Sequence, residues 1–461
     1  MTHTNGTEAQ TQLPKREAKF TTGSTMRHVV VMTLTGSVGL MSIFFVDFAD
    51  MFFLSILGEA QVAGAIGFAG AIFFINLSIG IGLSITITAL VSKALGAGKE
   101  KRAQRLAAST LLFSFILTTT VAVLLWFARE AILTGLGAEG EALAYAKSFI
   151  EIVIPSFPIL GIGICLSGIL RALGDAKRAM YVTLSGGIVN AVLDPILIFG
   201  ADLGVDGAAF ASVIARITIL IVGFYGTHTV HGFLVWPQVS SLKRDMKPIL
   251  HIALPAIATQ VATPVGNAYV TFAMAPFGPG AVAALAVVTR LVPIAFGVVF
   301  SLSGALGPII GQNFGAKRFD RVQQSYFDAV KFTAVYVLTT SLILYLSQDA
   351  IARLFSAGPE ATAIIGFFCT WIGISWLFGG LLFVSNASFN NLGKPHYSTL
   401  FNWARATIGT VPFVTIGAAI AGPMGVIAGH AIGQVLFGIA AVWAGMRLIS
   451  KLNARHDSIH A

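Results

Sequence analysis

The stretch LGAGKEKRAQ at residues 95–104 returns later in the chain as FGAKRFDRVQ at residues 314–323, shifted by 219 residues. The same shift aligns LGDAK at 173–177 with LGKPH at 392–396. Similar segments at a constant offset indicate two homologous halves, although glycine-rich turns also resemble one another by chance. Glycine and basic residues are typical of the short connections between longer elements. The fold therefore depends on what lies between these turns.

The composition shows what kind of segment lies there. Of the 461 residues, 56% are hydrophobic and only 11% are charged, whereas a soluble domain carries about 25% charged residues. This excludes a cytosolic enzyme and indicates a polytopic membrane protein. Cys165 and Cys369 both lie in apolar runs, which excludes a disulfide scaffold or a thiolate metal site. Residues 1–27 are mostly polar and contain no apolar stretch, so we expect no cleaved signal peptide.

Each half contains six apolar segments of the length that a membrane-spanning helix needs, about 20 residues. Even numbers of helices give both halves the same orientation, related by an axis along the membrane normal. The twelve predicted spans lie near residues 29–57, 61–92, 106–128, 146–170, 179–201, 207–233, 248–275, 281–312, 323–347, 361–391, 397–421 and 424–446.

Basic residues predict the orientation. With the N-terminus inside, the inner segments hold 22 of the 29 Lys and Arg residues, and the outer loops hold only Arg129 and Arg353. The positive-inside rule then places both termini in the cytoplasm of a cell membrane, as expected for the inner membrane of a bacterium. It also accounts for the net charge of +9 without nucleic-acid binding.

We therefore expect an all-α membrane protein with two pseudo-symmetric six-helix bundles, the N-lobe and the C-lobe, around a central cavity. This is a transporter architecture, in which the two bundles rock against each other. We expect it to act as a monomer. The predicted divisions are a cytoplasmic N-terminal tail (1–27), the N-lobe with helices 1–6 (28–233), a cytoplasmic linker (234–247), the C-lobe with helices 7–12 (248–448) and a cytoplasmic tail (449–461).

The two halves differ in their intramembrane acids. Asp47 and Asp50 lie three residues apart on one face of the first span, and Asp194 lies in the fifth. Asn190 lies one turn before Asp194, and Pro195 leaves the carbonyl of residue 191 without its usual helical partner. An ionisable group inside a span indicates function by default. Carboxylate, amide and carbonyl oxygens together suit a proton or a hard cation.

The corresponding positions of the second half carry no acid. Asn267 stands opposite Asp47 and Phe413 opposite Asp194, and the polarity of the seventh span comes from Gln260 and Asn267. The charge that can couple transport to an ion gradient therefore lies in one half. Arg290 and Arg405 leave two interpretations open. They bind an anion, or they have the structural role that the sequence favours, as an ion pair or as side chains that snorkel to the membrane surface.

The sequence contains no metal-ligand cluster, no nucleophile–base set and no nucleotide-binding motif. We therefore expect neither an enzyme nor a cofactor, and transport driven by a gradient.

Several motifs together resemble the multidrug and toxic compound extrusion (MATE) transporters. They are LGAG at 95–98, RALGDAKRAM at 171–180, NAVLDPILIF at 190–199, GQNFGAKR at 311–318 and ADMFFLSILG at 49–58. In the last of these, the Asp that precedes a Gly by eight residues selects Asp50 over Asp47. The resemblance covers all twelve spans.

The resemblance implies antiport, with a drug leaving as a proton or sodium ion enters. Asp50, Asn190 and Asp194 resemble the N-lobe acidic site of the DinF-type branch, and the C-lobe acids of sodium-coupled NorM-type relatives are missing. Asp47 is an additional acid that can share a proton with Asp50. If the ion is Na⁺, Asp50, Asn190 and Asp194 are the expected ligands.

Lipophilic organic cations would suit a cavity with acidic and aromatic walls. The candidate substrate-binding residues are Asp50, Asp194, Phe52, Gln260 and Asn267. The alternatives are Na⁺-coupled efflux by the same fold and a flippase of lipid-linked substrates, which would need a basic cavity for phosphates. A membrane-embedded enzyme or an ion channel fits the motifs less well.

Overall fold

The computed structural model describes residues 18–56 and 60–460, except for the side chains of residues 46–52, 54–56, 60–64, 66, 456, 457, 459 and 460. The described residues form helices and no strand, which confirms the all-α prediction. The helices are α1 (Thr25–Ile56), α2 (Ala60–Gly96), α3 (Glu100–Gly135), α4 (Gly140–Val153), α5 (Phe157–Ala172), α6 (Ala176–Pro195), α7 (Gly204–Phe224), α8 (Val239–Met274), α9 (Pro279–Gly315), α10 (Phe319–Leu354), α11 (Pro359–Phe367), α12 (Trp376–Asn391), α13 (Pro395–Ala406) and α14 (Val411–His460).

These helices form twelve membrane crossings. The 3-10 turn Ile154–Ser156 joins α4 to α5, and π and 3-10 turns likewise join α11 to α12. Within the described residues, eleven apolar stretches are long enough to span a membrane, and the last of them, Pro395–Arg455, is 61 residues long. That stretch contains two crossings, because α14 reverses at Gly422, which has a φ of 57° that only glycine adopts readily.

The reversal within α14 is visible in the contacts on either side of it. A Cβ atom on Gly417 would lie 2.1 Å from the carbonyl oxygen of Gly425, and one on Gly433 would lie 1.7 Å from that of Gly409. The two arms of α14 therefore run antiparallel with their backbones in contact. This close approach needs glycine on both arms, as is common where membrane helices pack.

The repeat predicted from the sequence is present in the helix boundaries. Helix α2 begins at Ala60 and α9 at Pro279, which are 219 residues apart, and the ends of these helices, Gly96 and Gly315, differ by the same number. The same offset relates the first residues of α3 and α10, of α4 and α11, of α5 and α12, and of α6 and α13. The two lobes are therefore copies of one six-helix unit.

Two segments predicted to lie outside the lobes are largely helical. Residues 234–247 were expected to form a linker, but α8 begins within them at Val239, and α14 continues to His460 through the predicted tail. Hydropathy marks the part of a helix that is inside the membrane, whereas both helices continue beyond it with polar residues. The first turns of α8 are held by Asp245, which is 2% exposed.

Asp245 joins the start of α8 to α3. Its carboxylate accepts two hydrogen bonds of 3.0 Å from Arg105 Nε and Nη2, and one of 2.9 Å from Ser109 Oγ. A two-bond arginine–carboxylate pair fixes geometry as well as charge. The segment that connects the lobes is thereby attached to the N-lobe.

We expect Asp245→Asn to lower the free energy of unfolding by about 1–3 kcal/mol, the usual effect of removing a charged hydrogen-bond partner. Thermal unfolding of the detergent-solubilised protein measures this. Glu141→Gln, which removes an exposed acid, is the control and should leave the midpoint unchanged. Equal midpoints for the two variants would show that the pair contributes nothing.

Candidate functional site

The buried acid of the N-lobe lies at the end of α6. Asp194 is 0% exposed and Asn190 is 3% exposed. Asn190 Nδ2 donates a hydrogen bond of 2.8 Å to Asp194 Oδ2, across one helical turn. Pro195 ends α6, and the π-helical turn Ile196–Gly200 follows it. Such a turn inside a membrane helix loosens the backbone bonding next to the carboxylate and is frequent at functional sites.

Helix α1 packs along α6 on both sides of this level. Gly39 approaches α6 so closely that a Cβ atom there would lie 2.3 Å from Thr183 Oγ1. Farther along, the rings of Phe53 and Phe199 are 6.4 Å apart. The two helices run in the same direction, so the part of α1 between these contacts passes the level of Asp194. That part contains Asp47, Asp50 and Phe52, whose side chains lie outside the described residues.

The predicted C-lobe residues lie on a different helix and in the other lobe. Gln260 is half-buried and Asn267 is exposed, seven residues apart on α8. Helix α8 packs against α2, α3, α13 and α14, whereas α6 packs against α1, α5 and α7. The N-lobe pair and the two amides therefore belong to opposite lobes, as expected of groups that flank a central cavity.

The repeat of α6 in the C-lobe is interrupted where the N-lobe carries its polar pair. Helix α13 ends at Ala406 and α14 begins at Val411. Gly409 takes the place of Asn190, and Phe413 takes the place of Asp194. The pseudo-symmetry thus holds for the helix boundaries and fails at the acid, which is the difference that the sequence indicated.

Arg405 is a buried cation that the sequence left with two interpretations. It is 8% exposed, and its Nη2 atom donates a hydrogen bond of 2.9 Å to Thr263 Oγ1. In the described part of the chain its Nε atom has no acceptor and no carboxylate forms a salt bridge with it. An ion pair therefore does not explain this arginine.

The second functional element is a crossing of α2 and α9 at the end of the molecule where α1 begins. A Cβ atom on Gly96 would lie 1.9 Å from the carbonyl oxygen of Gln312, and one on Gly315 would lie 2.1 Å from that of Lys93. Gly96 and Gly315 are equivalent positions of the repeat, as are Lys93 and Gln312. The two helices therefore cross on the pseudo-twofold axis with their backbones in contact. We call these four residues the glycine crossing.

The segment before α1 is hydrogen-bonded to the glycine crossing and stabilises it. Phe20 is 1% exposed, and its N–H donates a hydrogen bond of 2.8 Å to Gln312 Oε1. Gln312 Nε2 in turn donates to the carbonyl of Ala172 in the N-lobe, also at 2.8 Å. Arg321 Nη2 and Asn313 Nδ2 both donate to the carbonyl of Phe20, at 3.0 and 3.1 Å. These bonds tie both lobes together through one short segment.

The opposite half of α2 is open. One face of this helix, with Gly67, Phe74 and Ile75, is exposed. No atom of the described residues lies within 4 Å of a Cβ built on Gly67. The same face continues toward the glycine crossing as Ser78, which is buried, and Gly82, which packs against Ile257 of α8. The cleft between the lobes is therefore sealed at the end with the glycine crossing and open at the other.

The sequence reasoning missed the glycine crossing although it found the repeated turns that contain it. The repeat showed that residues 95–104 and 314–323 are equivalent. Equivalence alone does not indicate contact, because most equivalent positions of two lobes are far apart. A glycine at the same place in both copies, followed by basic residues, was the available signal.

Comparison with known proteins shows which proteins this chain is similar to. The chain matches the MatE family over residues 37–196 and 255–437, one segment in each lobe. It is 27% identical over 435 residues to an FAD transporter of Shewanella oneidensis, covering 93% of this chain and 96% of that protein. It is 24% identical to the multidrug export protein MepA of Staphylococcus haemolyticus, covering 94% and 95%.

A solved structure agrees with the fold. The Vibrio cholerae MATE transporter VcmN in its bent form superposes with a TM-score of 0.87 at 26% identity, covering 93% of this chain and 98% of that one. The starts of the two matched family segments, residues 37 and 255, are 218 residues apart, close to the offset of the helices. The two-lobe architecture of twelve helices is thereby confirmed.

Proposed function

The chain belongs to the MatE family of membrane transporters, which are not enzymes, and from this premise we propose that it is an ion-coupled antiporter that exports lipophilic organic compounds. The observation that carries the proposal is the buried Asp194–Asn190 pair beside α1. A carboxylate at 0% exposure within a membrane helix is costly unless it has a function. We propose that the Asp194 carboxylate binds the coupling ion.

The proton is the coupling ion that best fits an acid in an apolar interior. Burial disfavours the charged carboxylate, so binding of a proton from outside is favourable once the site is open. Protonation removes the charge that accepts the Asn190 bond and changes the packing of α6 on α1. With Asp50 and Asp47 on α1, the site would be the N-lobe acidic site of the DinF-type branch. Na⁺ coordinated by Asp50, Asn190 and Asp194 is the alternative.

Ion and substrate need not occupy the cavity together. They need only favour opposite-facing states, because a ligand shifts a conformational equilibrium by its difference in affinity for the two states. With both termini in the cytoplasm, the glycine crossing seals the cytoplasmic end and the described cleft opens outward. The proton entering from outside then favours the return to the inward-open state, where substrate is loaded.

The substrate surface combines apolar and polar groups. The open face of α2 offers Phe74 and Ile75, and Gln260 and Asn267 lie across the cleft on α8. With Asp50, Asp194 and Phe52 these would bind lipophilic drugs, organic cations among them. The relative named as a multidrug export protein supports this substrate class. We propose that the protein works as a monomer in a bacterial inner membrane.

One observation favours a second candidate, the export of an anionic metabolite. Arg405 is buried in the C-lobe, and among the described side chains no carboxylate forms a salt bridge with it. An intramembrane cation without such a partner is as costly as an acid. The relative named as an FAD transporter moves a molecule with a negatively charged pyrophosphate. A flippase of lipid-linked substrates would use the same cation, but it would not need the acid in the N-lobe.

The test is transport in proteoliposomes with a pH gradient and a sodium gradient imposed separately. We expect a fluorescent organic cation to be transported under the pH gradient alone. Transport under the sodium gradient alone would show that the coupling ion is Na⁺ and not H⁺, with the same proposed site at Asp194 and Asn190. Transport of FAD but not of the dye would favour the second candidate, and transport of neither under either gradient would contradict ion-coupled export.

A further inference from the structure

A groove with a volume of about 580 Å³ lies between the start of α1 and the start of α6, outside the central cleft. Its volume falls in the range of about 300–1,000 Å³ that is usual for small-molecule sites. One wall is the segment with Lys19 and Phe20 that fastens the glycine crossing. The groove therefore shares a wall with the segment that is bonded to the glycine crossing. It is separate from the site of Asp194 and Asn190.

The floor of the groove is apolar and faces outward. Val31, Leu34 and Val38 follow one another on one face of α1, are 44–49% exposed, and meet Met180 of α6. In a membrane helix such a face lies against lipid chains. The position near the helix starts puts the mouth of the groove at the level of the lipid headgroups.

The described residues at the mouth carry a net positive charge. Lys19 and Lys177 are both exposed there, and Lys19 Nζ donates one hydrogen bond of 2.8 Å to the carbonyl of Gly174, which leaves two of its three donors available. Lys177 Nζ lies 5.8 Å from the ring centre of Tyr181. The ring of His28, whose Nε2 atom lies 2.8 Å from the carbonyl oxygen of Thr22, completes the rim.

Among the described residues of the mouth the one acid is Asp175, and it does not cancel the charge of the lysines. Arg178 Nη1 donates to its Oδ2 at 2.6 Å, and His231 Nε2 lies 2.9 Å from the same oxygen. Partial burial alone would raise the pKa of Asp175, but these hydrogen bonds hold the pKa well below its usual range. The carboxylate is therefore ionised at neutral pH and already paired with a cation.

We propose that this groove binds an anionic phospholipid, with its phosphate between Lys19 and Lys177 and an acyl chain along Val31, Leu34 and Val38. Basic pockets between helices on the cytoplasmic side are suited to anionic headgroups. A phosphate that contacts both lysines joins the segment before α1 to the start of α6. Because the neighbouring Phe20 is bonded to Gln312 at the glycine crossing, the lipid stabilises the sealed end.

The test compares two double variants of the full-length protein in phosphatidylcholine nanodiscs that contain increasing phosphatidylglycerol. Lys19→Gln with Lys177→Gln removes the two cations of the groove. Lys101→Gln with Lys451→Gln removes two exposed cations outside the groove and is the matched control. Native mass spectrometry measures the retained phosphatidylglycerol. We expect the groove variant to bind it at least about tenfold more weakly, and the control to match the wild type.

Met180→Trp fills the groove without changing its charge, and it should lower phosphatidylglycerol binding in the same way. Inorganic phosphate and glycerol 3-phosphate, added as soluble competitors, should not displace the lipid, because they lack the acyl chain that the floor accommodates. Equal loss in both double variants, or full binding by Met180→Trp, would overturn the proposal. Because the readout is lipid binding, it does not depend on which substrate or ion is transported.

Discussion

Replacing Asp194 by asparagine is expected to lower gradient-driven transport strongly while leaving the protein folded. Asparagine has nearly the same shape and retains an oxygen that can accept the 2.8 Å hydrogen bond from Asn190. It neither binds nor releases a proton, and it offers no negative charge to a bound cation. Coupling free energies of about 1–3 kcal/mol correspond to about 5- to 150-fold, and we expect a loss within this range in proteoliposomes under a pH gradient.

The control for this change is Asp206→Asn. Asp206 is a half-buried acid of the same lobe that accepts a 2.5 Å hydrogen bond from Ser148 Oγ, near the start of α7. It should transport as the wild type does. Asp194→Glu, which retains the charge on a longer side chain, should keep part of the activity and its dependence on external pH. If Asp194→Asn transports at the wild-type rate, Asp194 does not belong to the coupling site.

The fold could be predicted because its signals are local along the chain. The length of an apolar run identifies a membrane helix, and a repeated turn such as LGAGKEKRAQ identifies two copies, without any knowledge of contacts. Apolar runs do not show how far a helix extends beyond the membrane. Asp245 therefore lay in a predicted linker, although its bonds to Arg105 hold it in the first turns of α8.

The candidate site could be predicted only in part, because its chemistry is local but its contacts are not. The i, i+4 spacing of Asn190 and Asp194 was sufficient to predict their hydrogen bond. Which group Arg405 contacts depends on how α13 packs against α8, and Thr263 gave no signal in the sequence. The same holds for Phe20, which is bonded to residues about 290 positions away.

Replacing Gly96 by alanine is expected to open the sealed end of the molecule. The added Cβ atom would lie 1.9, 2.6 and 2.7 Å from the carbonyl oxygen, carbonyl carbon and Cα of Gln312. All three are backbone atoms, so no side-chain rotation relieves the overlap and α2 must move away from α9. Overpacking of this kind costs about 1–3 kcal/mol or more. The population of the sealed state should fall by about 5- to 150-fold relative to states in which the helices separate.

Spin labels at Lys101→Cys in the N-lobe and Lys394→Cys in the C-lobe measure this change, since both positions are exposed and both native cysteines are buried. We expect the distance distribution to shift to longer values in Gly96→Ala and in its repeat equivalent Gly315→Ala. Gly67→Ala is the matched control, because it makes the same change in the same helix where no atom lies within 4 Å. It raises helix propensity equally, so any effect of propensity alone would appear in it as well. An unchanged distribution in Gly96→Ala, or the same shift in Gly67→Ala, would show that contact at the glycine crossing does not hold this end of the molecule closed.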